Sequence, residues 1–167
     1  MELVVHSTDT LAVIASVAIA IAGFSGVVVA LTGRTADSFG AVEKLNFRIL
    51  LQVSALALFF ALVPLISHRA FEPPLAWRIS MILYGAVHLF DAGFFVLRTR
   101  DSTTLSPLQR VAPRIGVVIA VMQLLLVVLG NTIVIEVGYL LVLLWHLAIA
   151  GLGFANLVFA SRATDRE

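Results

Sequence analysis

Five runs of the sequence, 11–32, 47–67, 75–97, 115–134 and 137–160, are almost wholly apolar. Each approaches or exceeds the ~20 residues that a helix needs to cross a hydrocarbon core about 30 Å thick. No other feature limits the fold as strongly. Backbone N–H and C=O groups find no water in lipid, so a spanning segment has to satisfy them internally, as a helix does. The expectation is an all-α integral membrane bundle of five transmembrane helices, one domain over residues 1–167. Composition agrees, because 13% of the residues are charged, against about 25% in an average soluble domain. Mean hydropathy is +1.06.

Charge and cysteine content remove several function classes. A net charge of +1 supplies no basic field for nucleic acid. With no Cys there are no disulfides, Fe–S clusters or thiolate metal sites. The leader MELVVHSTDT has no Lys or Arg, and the run after it is too long for a signal-peptide core. It reads as a retained span. Lys and Arg also predict orientation. Arg34, Lys44, Arg48, Arg98, Arg100, Arg110, Arg114, Arg162 and Arg166 fall on one side, against Arg69 and Arg78 on the other. That bias predicts the N-terminus outside and the C-terminus in the cytoplasm. In the basic connection at 98–114, Ser106, Pro107 and Gln109 read as N-cap, N1 and N3 of a helix start, with Pro113 as a kink or break. Trp77, after the EPPLA turn, suits the aromatic belt at the interface.

The polar residues inside the runs are the candidate site. Counting a helical rise of 1.5 Å per residue from Arg78 and Arg98 puts His88 about 15 Å deep, near the midplane, and Asp91 about 10 Å from the cytoplasmic boundary. The same count puts Ser25, Gln52, Ser54, Gln123 and Asn156 about 6–13 Å deep on the cytoplasmic side. His146 falls about 10 Å inside the outer boundary set by Tyr139. His88 and Asp91, three residues apart, share a helix face. A charged Asp facing lipid costs about 3 kcal/mol, and pairing or protonation lowers that cost. Two readings follow for this layer: an ion, proton or ligand path, or an interhelical hydrogen-bond network worth about 0.6 kcal/mol per bond. Two intramembrane histidines raise the question of haem, but the depths of His88 and His146 differ by about 5 Å. His88 and Asp91 supply too few ligands for a zinc site. No cofactor and no metal are expected.

Small residues mark packing faces. Ala18, Ala22, Gly26 and Ala30 recur every four residues in the first run, and Gly151 and Ala155 repeat the spacing in the last. Small-xxx-small patterns let backbones approach closely, within the bundle or between subunits. Five helices are few for a solute-sized cavity, so a homo-oligomer is expected, with other membrane subunits as possible partners alongside the lipid bilayer.

Two resemblances bear on function. GFSG at 23–26 resembles the Gly-x-Ser-Gly motif of rhomboid intramembrane proteases, and WHLAIAGLG at 145–153 is similar to their histidine helix. That resemblance implies Ser25 as nucleophile and His146 as base. Against it, the motif stands in the first helix, one helix of the family's minimum set is missing, and the two residues lie toward opposite sides of the membrane. The stretch from AGFSGVVVALTGR through LQVSALALFFALVPLIS resembles a loosely defined group of small, uncharacterised multi-span proteins of bacterial inner membranes. It implies that location and no activity or site residue. No catalytic constellation is present, and no reaction is assigned. The expected function is an oligomeric ion or proton channel or transporter using the polar layer. The alternative is a non-catalytic structural or accessory subunit of a membrane complex.

Overall fold

The computed structural model describes residues 2–31, 40–100 and 107–164. They form α1 (Glu2–Leu31), α2 (Ala41–Ala70), α3 (Pro73–Thr99), α4 (Pro107–Leu129) and α5 (Thr132–Thr164). There is no strand among the described residues. Within these helices, Ser7–Ala30, Lys44–Ala70, Pro73–Thr99, Gln109–Leu129 and Thr132–Asn156 are each long and apolar enough to cross a membrane. The fold is the expected all-α membrane-spanning class.

The helices outrun the apolar segments. α1 begins at Glu2 rather than at residue 11. Its leader contains no Pro or Gly, so a helix formed in the apolar run extends through it, gaining one hydrogen bond per residue fixed. α4 begins at Pro107, and Pro113 lies inside it without ending it. The Ser106 cap lies outside the described residues, as do Arg34 and Arg166 in the basic segments.

The α4–α5 connection differs from the hydropathy pattern. Glu136 interrupts the apolar residues and suggests a break between 134 and 137. The chain turns instead at Gly130–Asn131, and Glu136 lies within α5. Asn131 caps the new helix: its Oδ1 accepts from Val134 N at 3.0 Å, and its carbonyl accepts from Ile135 N at 3.0 Å. Gly130 N donates to Leu126 O at 2.8 Å, and a Cβ at Gly130 would stand 2.6 Å from that oxygen. A glycine and a cap decide the turn more strongly than one carboxylate does. At the α2–α3 turn the carbonyl of Glu72 accepts from Leu75 N and Ala76 N. Pro73 and Pro74 occupy helix positions whose N–H groups would have no intrahelical partner.

The chain divides into two compact units, one comprising residues 1–62 and 143–167 and the other residues 63–142. α2 and α5 contribute to both. The first unit has a core of mostly small and aliphatic side chains, including Ala15, Ala18, Leu50, Ala57, Ala61, Leu143 and Ala150, together with the ring of Phe60. The second has a core of large ones, with Trp77, Met81, Tyr84, Ile135 and Tyr139 fully buried. α3 and α4 pack side by side within it, brought close by glycine. A Cβ on Gly85 would fall 2.9 Å from Leu124 Cδ2.

Candidate functional site

The polar residues of the second unit meet along one face of α3. Ser80, Tyr84 and His88 repeat every four residues, which keeps them on one side of a 3.6-residue helix, and all three are buried. His88 retains 3% of its surface. Its Nδ1 lies 2.9 Å from Gln123 Oε1 on α4, and Gln123 Nε2 reaches Met81 Sδ at 3.7 Å. Gly116 lets the ring approach α4: a Cβ there would sit 3.3 Å from His88 Nε2 and 3.3 Å from Ala92 Cβ. Nδ1 thus faces Gln123, which in turn reaches Met81. Nε2 faces Gly116 and the turn of α3 that follows His88, where Asp91 and Ala92 lie. Asp91 is half-buried, and its carboxylate acts electrostatically on the ring.

From His88 a file of rings runs toward the α2–α3 turn. Tyr84 stacks on His88 with centroids 6.1 Å apart. Tyr139 meets Tyr84 edge-on at 5.2 Å and Trp77 at 5.6 Å. Trp77 meets His68 at 5.3 Å. The phenol of Tyr84 donates to the Val142 carbonyl at 3.3 Å. Ser80 donates to the Ala76 carbonyl at 2.8 Å, with Ser67 Oγ 3.4 Å away. Trp77 is therefore no interfacial anchor. It retains 1% of its surface, because the ends of α2 and α5 close over the start of α3 in this unit. Glu136 lies near enough to His68 to act on it electrostatically.

In the first unit Ser25 and Ser54 bond differently. Ser25 is buried, and its hydroxyl donates to the Ile21 carbonyl of its own helix at 2.6 Å. Ser54 Oγ is buried with no hydrogen-bond partner. His146 is buried, while Gln52 and Asn156 lie on the outside. Gly153 packs against Leu50, since a Cβ there would stand 3.3 Å from Leu50 Cβ. As antiparallel spans, α2 and α5 are then in a register that sets Asn156 opposite residue 47, Ser54 opposite residue 149 and His146 opposite Ala57. Ser54 and Asn156 are separated by about 10 Å along the axis. Counting from the arginines put both in one layer because Arg48 lies about two turns inside the helix end that Arg162 marks.

The small-residue ridge of α1 also divides. Ala18 is buried and Ala22 half-buried, but Gly26 and Ala30 are exposed. A step of four residues turns 400°, so such a ridge drifts about 40° per step around the helix. On α5, Gly151 and Ala155 are half-buried, and a Cβ on Gly151 or Gly26 would meet nothing within 4 Å.

The structure thus joins His88 and Gln123 directly and leaves Asp91 beside them. Met81, Tyr84, Gly116 and Tyr139 were not among the expected site residues. For Met81 and Tyr84 the signal was the recurrence of Trp77, Met81, Tyr84, His88 and Asp91 at helical spacing in one run. Among the described residues, no group of three or more His, Asp or Glu is placed to hold a metal ion. No protein-family model, curated protein or solved structure matches the chain.

Proposed function

We propose that this protein is a small membrane transport protein, a proton channel or proton-coupled transporter, that binds and releases protons at the His88–Asp91 pair. The observation that carries this reading is a buried imidazole held by Gln123 in a spanning helix, with a carboxylate one turn away acting on it. Ionisable side chains are costly inside a membrane and concentrate where protons or ions move. The close packing about Tyr84, Tyr139 and Trp77 favours gated exchange over an open pore. The protein acts as a homo-oligomer in a bacterial inner membrane, N-terminus outside. The test is proton flux into liposomes holding the purified protein. Flux that falls at least tenfold in Asp91→Asn supports the assignment, and flux unchanged in Asp91→Asn and His88→Gln ends it.

A second reading rests on a different surface. Ala12, Ser16, Ala20, Gly23 and Gly26 of α1 are exposed, and a Cβ on Gly23 or Gly26 meets nothing within 4 Å. Such a face accepts another helix closely, as an accessory subunit of a membrane complex would require. Co-purification of an unrelated membrane protein, lost in Gly23→Leu, supports this role. A discrete homo-oligomer whose mass is unchanged in that variant counts against it.

A further inference from the structure

The proton on the His88–Gln123 hydrogen bond can be placed by following the bond to its third member. Gln123 Nε2 lies 3.7 Å from Met81 Sδ. A thioether sulfur accepts hydrogen bonds and has no hydrogen to donate. The amide therefore turns its NH₂ toward Met81 and its carbonyl oxygen toward His88. That oxygen, 2.9 Å from His88 Nδ1, can only accept, so Nδ1 carries the hydrogen and donates it. In the neutral ring Nε2 is then the basic nitrogen. It points away from Gln123, toward Gly116 of α4 and the turn of α3 that carries Asp91 and Ala92.

We propose that Gln123 is a positioning residue that locks His88 in its Nδ1–H form, so that the ring takes up and returns its proton at Nε2, on the Asp91 side. This inference rests on the proton-exchange reading above and names the atom at which exchange occurs. On uptake, the Nε2 lone pair forms a new N–H bond and the ring becomes an imidazolium. The Nδ1–H bond to Gln123 persists and strengthens, because its donor is now charged. On release the same Nε2–H bond breaks, and the proton passes to the Asp91 carboxylate or to water beside it. Passage through the ring toward Trp77 is closed. Leaving by Nδ1 would require the amide oxygen to hold the proton, and the Met81 thioether beyond it has no proton to relay. Among the described residues, the titratable groups seen to act on or touch the ring are Asp91 and Tyr84 on α3, with Tyr139 of α5 beyond Tyr84, while α4 presents Gln123 and Gly116, which do not titrate. His88 is on this account a one-sided binding site and not a pass-through relay.

The experiment is nitrogen-15 magnetic resonance of histidine-labelled protein in lipid bilayers, with the His88 ring titrated to neutrality. Its signals are assigned by their loss in His88→Gln. The expected spectrum shows a protonated Nδ1 and an unprotonated Nε2. Gln123→Glu, which keeps an acceptor oxygen, retains that pattern. Gln123→Leu, which removes the acceptor, shifts the ring toward the Nε2–H form. A wild-type ring with its hydrogen on Nε2 overturns the proposal, as does an Nδ1–H form that persists undiminished in Gln123→Leu. Should the Leu variant fail to fold, the wild-type and Glu spectra still decide. The readout is independent of flux, so failure of the lock and failure of the transport reading are separate results.

Discussion

His88 and Tyr84 of the second unit bond across helices, and Ser25 and Ser54 of the first do not. His88 of α3 meets Gln123 of α4, and Tyr84 reaches a carbonyl of α5. In the first unit Ser25 bonds back to its own helix at Ile21, and Ser54 Oγ has no hydrogen-bond partner. A back-bonded serine satisfies itself without specifying a neighbour. An imidazole bonded to an amide on another helix fixes a register and a ring orientation together. The apolar parts differ in the same sense. Large rings fill most of the second core, whereas alanines and aliphatic side chains fill most of the first. Polarity inside a span is thus informative according to where its hydrogen bonds go. On that criterion the proposed proton site falls on α3 and α4.

The contrast predicts that one core fails by removal and the other by addition. Trp77→Ala leaves the space between His68 and Tyr139 empty and should destabilise the protein by about 3–5 kcal/mol, read from unfolding in mixed micelles. A loss under about 1 kcal/mol would mean that the ring file does not support the second unit. Ala57→Leu, at a position with no exposed surface, should cost about 1–3 kcal/mol by overpacking. Tolerance there would show that the first core is loose. Tyr84→Phe removes the bond to Val142 while keeping the ring, with an expected cost of about 0.6 kcal/mol. Ser54→Ala deletes a buried hydroxyl that has no hydrogen-bond partner and should be neutral or slightly stabilising. A clear loss of stability in Ser54→Ala would erase the distinction between the two regions.

The spans were legible because lipid imposes one simple rule on length and apolarity, and all five runs obey it. The α4–α5 turn was misplaced because hydropathy weighs Glu136 but is blind to a Gly130–Asn131 cap. Depth was only partly legible. Arg48 and Arg162 lie at different heights on α2 and α5, so distances counted from them do not share an origin. His88 and Asp91 announced themselves as ionisable groups in an apolar run. Gln123 stood out only as a polar side chain, because periodicity tells which residues share a face and not which faces meet. Gly116 carried no signal at all, since its role is to be absent where the His88 ring approaches. Trp77 was misread for a related reason: a tryptophan near a helix end suits an interface equally well until its neighbours are known.

Proton flux in liposomes, compared across the two regions in one preparation, tests the central claim most directly. The account predicts that Asp91→Asn and His88→Gln each lower flux at least tenfold, while Ser25→Ala and Ser54→Ala leave it within twofold of wild type. Flux that survives Asp91→Asn and His88→Gln but is lost in either serine variant would contradict it.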